Sequence, residues 1–449
     1  MKHNTTRYWI LLLLACSMGF SKSWAQQQRV LKLQEAIELG LKNSNQLKYN
    51  TAKIEEATAA LREALDRKLP EANISGSYLR LNHPYINLQP KSDSNPGGGA
   101  AGNAAPNPSQ AAYGLANVSL PLYSGLRIKY GIESAKYLAD ATRLDAEHDK
   151  EGIILNTINA FNNLYKSKAA VSLVNESLQT AQQRVKDFSN LEKNGLLARN
   201  DLLKAQLQAS NTELSLLDAE NNWKLANISM NLLLGLPDST ELVPDSTDLP
   251  TAASLKTYEE YVQAGLLSRN DLAALDLRKK AAATGVKATA GEKYPSLALT
   301  GGYAALTVPN LATVANAVNV GVGVQYSLSS LWKNNAKVQQ AKSREKELEV
   351  NKEQLSDAIR LQIAQAYQAY LVSVKKIDVY QAAVAQATEN YRILKNKYEN
   401  SLATATDLLD ADVAQLQAKL NYAFGKSDAM VAYQNLLHAS GLLNETSIK

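Results

Sequence analysis

Four short segments of the chain alternate between apolar and polar residues, as strands do when their two faces meet different surroundings. The clearest lies in the second half, where Val318, Val320, Val322 and Val324 alternate with asparagine, glycine and glutamine. Strands of about ten residues can cross a bilayer when tilted. A soluble, half-buried sheet fits the same alternation, so the pattern leaves both interpretations open. The predicted strands span about 71–81, 113–123, 296–306 and 317–328.

Most of the remaining chain has the apolar spacing of helices that pack as coiled coils. Apolar residues recur at steps of three and four, as at Val171, Val174 and Leu178, and the long segment that contains them has no proline. A helix over 126–193 would be about 100 Å long, which a compact globular domain does not accommodate. The predicted helices span about 33–69, 126–193, 200–234, 258–293, 332–399 and 405–441.

The two halves of the chain repeat each other. One constant shift aligns Pro70 with Pro295 and Tyr78 with Tyr303, and a smaller shift aligns later positions. The difference is a longer loop in the first copy, from about Asn82 to Ala112, which is rich in proline and glycine. The predicted domains are a first repeat over 26–236, a linker over 237–257, a second repeat over 258–443 and a tail over 444–449.

The N-terminus predicts export. Lys2 and Arg7 precede an apolar stretch, and Ser23-Trp24-Ala25 is a small-residue cleavage site, so residues 1–25 form a predicted signal peptide. A second interpretation stays open, because the residues that end at Cys16 resemble a lipobox, after which Cys16 would be lipidated. Cys16 is the only cysteine, so cleavage after Ala25 leaves no thiol for a disulfide or a zinc site.

Composition and charge argue against several classes of function. The chain has 449 residues and is 45% hydrophobic, which excludes a disordered chain. Its formal net charge of +5 owes much to the predicted signal peptide, so the charge does not indicate nucleic-acid binding. His83, His148 and His438 lack metal-site spacing, and Gly425-Lys426-Ser427 lacks the earlier glycine of a phosphate loop. We therefore expect no catalysis, no cofactor and no metal.

Four strands are too few for a membrane barrel. The smallest transmembrane barrels have about eight strands, and an open sheet edge is not tolerated in hydrocarbon. If the strands span a membrane, the chain must therefore form an oligomer. A dimer would supply eight strands and a trimer twelve, and the physical argument leaves both open.

Several short motifs, in order and in both repeats, resemble the TolC-like outer-membrane efflux proteins. The segment from Leu33 to Leu41 with Asn45 resembles the family's opening signature, and Leu120 to Gly125 resembles its passage from strand to helix. The predicted helical turns at 194–202 and 400–410 resemble its turn motif. The resemblance extends over about residues 31–443.

The resemblance implies an α+β membrane protein with two tandem repeats, each a transmembrane β-hairpin with very long coiled-coil helices. It implies a homotrimer whose 12-stranded β-barrel lies in the outer membrane of a Gram-negative bacterium and continues as a periplasmic α-helical barrel, with the linker in an equatorial region. The implied function is that of the exit duct of a tripartite efflux or type I secretion system. The implied partners are outer-membrane lipid, a periplasmic adaptor (membrane fusion) protein and an inner-membrane RND or ABC transporter.

The candidate functional residues lie at the two helical turns. Asp407 and Asp410 are three apart on one helix face, so copies around an axis would form a ring of carboxylates at the periplasmic aperture. Asp407 fits an N-terminal capping box equally well, whereas Asp410 has less reason to be a cap. By resemblance, Asp201 and Tyr398 match gate positions, while the family's gate arginine corresponds to Ala403. The predicted adaptor-docking tips are Gly195, Leu196, Leu197, Ser401, Leu402 and Ala403.

An alternative from another class is an exported structural coiled-coil envelope protein with a soluble β-domain and no channel activity. It shares the signal peptide and the helices with the duct. The sequence does not identify the substrate, nor does it say whether a pump is driven by protons or by ATP.

Overall fold

The computed structural model describes residues 28–82, 108–245, 255–309 and 311–443. The predicted signal peptide, most of the loop predicted over 82–112 and the tail over 444–449 lie outside these residues. The chain divides into two compact units. The helical unit consists of the described residues of Met1–Tyr49, Ala146–Asn270 and Ser356–Lys449, and the strand unit consists of those of Asn50–Asp145 and Asp271–Leu355.

Helices make up most of the described chain. The helices are α1 (Leu33–Asn43), α2 (Asn45–Asp66), α3 (Arg127–Lys193), α4 (Arg199–Leu234), α5 (Tyr258–Ser268), α6 (Asn270–Ala290), α7 (Ser330–Glu399) and α8 (Ala405–Ala439), with a short 3₁₀ turn at Gly291–Lys293 after α6. The strands are β1 (Gln28–Leu31), β2 (Glu71–Arg80), β3 (Gln110–Tyr123), β4 (Glu241–Pro244), β5 (Ser296–Val308) and β6 (Ala312–Gln325).

The strand unit contains one four-stranded sheet, and its strands are those that the alternation predicts. The order is β2-β3-β5-β6, and all neighbours are antiparallel. In the described chain β2 and β6 each have one neighbour, so each leaves one edge of backbone donors and acceptors unpaired. The valines of β6 from Val318 to Val324 are 61% to 79% exposed.

β6 corrects the boundaries predicted from the sequence. The prediction was 317–328, but the strand begins at Ala312 and ends at Gln325. Its register with β5 shifts between Ala304 and Leu306, and Asn316 has φ +58°, so a bulge interrupts the alternation on the N-terminal side. At the other end the Ser330 amide donates to the Ser327 carbonyl at 2.9 Å, so Leu328 lies in a turn and not in the strand.

The four long helices follow the apolar spacing of the sequence. Each end of α3, α4, α7 and α8 lies within two residues of the predicted position. Gly235 ends α4 with φ +68°, a left-handed conformation that suits glycine, and its amide donates to the carbonyl of Leu232. No helix in the described ranges has the length and apolarity needed to cross a membrane.

The two shorter predicted helices are each broken. The helix predicted over 33–69 is divided at Ser44, whose hydroxyl accepts from the Leu47 amide at 3.3 Å and so caps α2. The helix predicted over 258–293 is divided at Arg269, which has an extended backbone. The guanidinium of Arg269 donates to the Ala439 carbonyl at 3.1 Å and to Gln362 at 2.8 Å, so tertiary contacts hold the break.

The predicted linker contains a strand that the sequence did not indicate. β4 pairs in parallel with β1 at the start of the described chain, with Gln28 opposite Glu241 and Leu31 opposite Pro244. Asn227 of α4 supports this pair, because its side-chain oxygen accepts from the Leu242 amide at 2.8 Å. A short pairing between distant segments has no local periodicity, so the sequence pattern does not reveal it.

The core of the helical unit follows the coiled-coil spacing. Ile154, Ile158 and Phe161 of α3 and Ile359 and Ile363 of α7 are almost completely buried. Their steps of three and four place them on one stripe of each helix. Ile359 and Ile363 pack against α5 at Gly265, so this part of the α7 stripe is buried within the second repeat.

Candidate functional site at the helical tips

Two turns of the same type form the tips of the helical hairpins. After α3, Gly195 has φ +72° and the Leu196 amide donates to the Leu191 carbonyl at 2.8 Å. After α7, Ser401 has φ +59° and the Leu402 amide donates to the Lys397 carbonyl at 2.7 Å. This bond pattern closes a helix C-terminus through a left-handed residue. The sequence repeat is therefore also a repeat of backbone geometry.

The predicted docking residues separate into exposed and packed positions. Leu196 is 74% exposed and Leu402 is 76% exposed, each at the equivalent position of its turn. Leu197, in contrast, packs against a buried cluster formed by the two hairpins. The two turns thus each expose one leucine at the same place of the repeat.

The tip cluster joins the first hairpin to the second. Its buried members are Phe188, Leu202, Ala205 and Ala405. Tyr398 packs against it, with its ring centroid 5.3 Å from that of Phe188.

Tyr398 thus has a packing role in addition to its predicted place at the aperture. Burial raises the pKa of its hydroxyl, the charge of Asp201 raises the pKa further, and the charge of Arg184 opposes both. The carboxylate of Asp201 itself lies 3.6 Å from the ammonium of Lys204. Asp201 and Tyr398 are therefore close enough to interact electrostatically, although the structure gives no hydrogen bond between them.

Asp407 forms the capping box that the sequence offered as one of its two interpretations. Its carboxylate accepts from the Thr404 amide at 2.9 Å and from the Thr404 hydroxyl at 2.7 Å, while its own amide donates to that hydroxyl at 3.2 Å. These bonds favour the charged form and lower the pKa of Asp407. The residue remains exposed, so capping and a place in a carboxylate ring are compatible.

Asp410 differs from Asp407 in having no such bonds. It is exposed on the same face of α8, and its side chain forms no hydrogen bond or ion pair with any of the described residues. Lys204 reaches the neighbourhood of this face, because its ammonium donates to the Thr406 hydroxyl at 3.0 Å. The fold of α8 thus gives Asp407 a capping role and gives Asp410 none.

Sequence reasoning missed a buried ion pair just above the tip cluster. The guanidinium of Arg184 in α3 lies 2.9 Å from the carboxylate of Asp412 in α8, and the two side chains are only 7% and 10% exposed. Arg184 also donates to the Tyr391 hydroxyl of α7 at 3.0 Å. One arginine therefore connects three helices.

A sequence signal for this pair exists. Arg184 stands three residues after Ala181 and four before Phe188, so it occupies an apolar stripe where a charge requires a partner. Elsewhere, the described residues contain no group of three or more His, Cys, Asp or Glu side chains able to hold a metal ion.

Comparison with known proteins identifies the family. The profile of the outer membrane efflux proteins matches residues 36–236 and 261–442, which correspond to the two repeats. The chain belongs to the outer membrane efflux protein family. It is therefore an outer-membrane protein of a channel family, with its helical tunnel in the periplasm. Membership favours the channel over the structural coiled-coil alternative and gives no support to an enzyme.

Individual relatives are distant in sequence and close in fold. The outer membrane efflux protein BepC of Brucella suis biovar 1 (strain 1330) is 23% identical over 335 residues, which cover 71% of this chain and 70% of BepC. The outer membrane protein VceC of Vibrio cholerae superposes with a TM-score of 0.73 at 19% identity, over 91% of this chain and 96% of VceC. The Campylobacter jejuni CmeC outer membrane channel gives 0.74 at 19% identity, over 92% of this chain and 86% of CmeC.

Proposed function

We propose that three copies of the chain form the outer-membrane exit duct of a tripartite efflux or type I secretion system. The duct is passive, and an inner-membrane transporter of the RND or ABC class supplies the energy through a periplasmic adaptor. The observation that carries this proposal is the four-stranded sheet with two unpaired edges and an exposed row of valines.

The sheet requires neighbours to become stable in a bilayer. Each unpaired backbone group in hydrocarbon costs several kcal/mol, so β2 and β6 must each find a partner strand. Pairing β6 of one copy with β2 of the next closes the sheet without an edge. Three copies give the twelve strands that the family resemblance implies, and a closed dimer is the physical alternative that an experiment must exclude.

The exposed leucines of the tips support the adaptor-docking part of the proposal. Leu196→Asp with Leu402→Asp places charges on a surface that we expect to be buried by the adaptor, so export should be lost while the oligomer and membrane insertion persist. Leu267→Asp is the matched control, because Leu267 is a helical leucine that is 82% exposed and lies away from the turns. The measurement is export of a reporter substrate together with the oligomer recovered from outer membranes. Normal export by the double variant would remove the docking role, whereas loss of the oligomer would assign these leucines to folding.

The aperture part of the proposal concerns Asp407, Asp410, Asp201 and Tyr398. A ring of carboxylates at a narrow mouth attracts cations, and divalent ions that bind there block the channel. Asp410→Asn should therefore reduce cation preference and divalent block in planar bilayers, and Asp407→Asn should add to the effect while still capping α8, because asparagine is a good N-terminal residue.

Asp187→Asn is a control for the aperture, since Asp187 is an exposed acid of α3 outside the proposed ring. Selectivity and block identical to wild type in the Asp407, Asp410 double variant would eliminate the ring.

Co-purification of the assembled duct with its transporter would then decide between the RND and ABC classes.

A further inference from the structure

A small pocket lies in the strand unit where β3 passes into α3. It has a volume of about 320 Å³. Two lysines, Lys68 and Lys129, line it together with Leu122, Leu126 and Pro121. Cationic and apolar side chains in one pocket suit a ligand that has both an anionic and an apolar part.

The two lysines are free to bind an anion. Both are exposed, and neither side chain forms a hydrogen bond or ion pair with any residue in the described ranges. The neighbouring arginines differ, because Arg67 pairs with Glu63 at 3.2 Å and Arg127 donates to the Ser124 carbonyl at 2.9 Å. The two arginines at this junction therefore have partners, whereas the ammonium groups of Lys68 and Lys129 have none among the described residues.

The apolar wall of the pocket continues a face of the sheet. Val118 and Leu120 lie on the apolar side of β3, and a shift in its register with β5 between Pro121 and Tyr123 places Leu122 at a bulge that ends this row. Leu122 is 54% exposed at the end of this row. Leu126 follows with φ +64°, a conformation that leucine seldom adopts, and remains 46% exposed. Gly125 and Leu126 form a tight turn, which the Arg127 amide closes by donating to the Ser124 carbonyl at 3.2 Å, and this turn leaves the Leu126 side chain exposed at the pocket.

The second repeat places the same chemistry at its own junction. Leu328, Leu331 and Trp332 are exposed where β6 passes into α7, and Lys333 follows directly. Tryptophan next to basic residues is typical of the boundary between a membrane and water. The two junctions differ in sequence, yet both combine exposed apolar side chains with cations.

We propose that the Lys68 and Lys129 pocket binds the phosphate of an anionic phospholipid from the inner leaflet of the outer membrane. The ammonium groups would hold the phosphate, and the acyl chains would lie along the Leu122 side of the sheet. The inference rests on the outer-membrane location and on the sheet being in the bilayer. It is independent of adaptor docking and of the aperture.

Native mass spectrometry of the purified assembled protein tests the proposal. The protein is exchanged into a zwitterionic detergent and titrated with palmitoyl-oleoyl phosphatidylglycerol, with the phosphatidylcholine of the same chains or with inorganic phosphate. A cation near a membrane surface strengthens anionic lipid binding about fivefold, so Lys68→Gln with Lys129→Gln should weaken phosphatidylglycerol binding roughly 25-fold. Lys68→Arg with Lys129→Arg should retain most of the binding, since the charge persists.

Lys224→Gln with Lys376→Gln is the matched control, because it removes two exposed helical lysines of the helical unit. We expect it to bind like wild type, and we expect millimolar inorganic phosphate not to compete. Unchanged phosphatidylglycerol binding in the Lys68, Lys129 variant would overturn the proposal, as would equal affinity for phosphatidylcholine. Competition by inorganic phosphate would identify a simple anion site, and loss of the oligomer would show that a second copy occupies the pocket. Export by the same variant is measured separately, and this measurement distinguishes failure of the lipid site from failure of the duct.

Discussion

The buried pair of Arg184 and Asp412 permits a quantitative prediction for the tip. Each side chain is at most 10% exposed, so replacing only one partner leaves a charge that is neither solvated nor paired. Such a change costs about 3 to 5 kcal/mol, whereas replacing both partners with apolar residues of similar volume is often close to neutral. Arg184→Met or Asp412→Leu alone should therefore destabilise the local structure strongly, and the double variant should recover most of the loss.

Hydrogen exchange of the purified oligomer, followed by mass spectrometry, measures this local stability. The relevant peptides are those that contain the end of α3 and the start of α8. A loss of about 3 kcal/mol raises the population of the open state by a factor of roughly 100, which increases exchange by the same factor. Tyr391→Phe is the graded control, because it removes one hydrogen bond to the charged Arg184 and should cost about 1.5 kcal/mol, less than the loss of either charge.

A double-mutant cycle separates coupling from general damage. A desolvated pair should give a coupling of about 3 kcal/mol or more between residues 184 and 412. Single variants that exchange like wild type would refute the claim that the pair is desolvated. A double variant that loses the sum of the two single losses would refute the claim that the two charges compensate each other.

Three further predictions concern other parts of the chain. Hydrogen bonds from Lys352 and then Lys280 lower the pKa of Asp276, so its charged form stabilises the fold at neutral pH and this contribution disappears as the pH falls below the usual value of 3.8. The difference in thermal midpoint between wild type and Asp276→Asn should therefore be present at pH 7 and shrink below about pH 4. A difference that stays constant with pH would contradict this prediction. Ser401→Gly should stabilise the second tip turn by up to about 1 kcal/mol in hydrogen exchange, because glycine relieves the positive φ, and faster exchange would count against the turn geometry. An epitope inserted near Gly98, in the loop that we predict to lie outside the cell, should be labelled on intact cells, and labelling only after permeabilisation would reverse the topology.

The long elements could be predicted because their signals are repeated many times. The spacing seen at Val171, Val174 and Leu178 continues through whole helices, and the alternation around Val320 continues through a whole strand. Each additional period reinforces the same assignment. Duplication of the chain adds a second, independent copy of every signal.

The features that the sequence concealed depend on single contacts between distant residues. The break at Arg269 is held by Ala439 and Gln362, and the pairing of β1 with β4 joins the start of the described chain to the linker. Neither leaves a periodic mark. The pair of Arg184 and Asp412 is intermediate, because a charge on an apolar stripe signals a buried partner without naming it.

The tip residues show what sequence and structure each contribute. The turn motif pointed to both tips, and the structure distinguishes Leu196 and Leu402, which are exposed, from Leu197, which is packed. Likewise it gives Asp407 a capping role that Asp410 lacks. The predicted roles in docking and at the aperture depend on other copies and other proteins, so they remain proposals that the experiments above address.

Cross-linking of the two free sheet edges tests the central claim most directly. The only cysteine is Cys16, in the predicted signal peptide, so a pair of cysteines introduced at Ser75 in β2 and Asn319 in β6 would be the only thiols of a chain cleaved after Ala25. If β6 of one copy pairs with β2 of the next, a scan of such pairs along the two strands should give, on oxidation in intact outer membranes, a ladder that ends at three chains. A ladder ending at two chains, or cross-links confined to single chains, would contradict the three-copy duct.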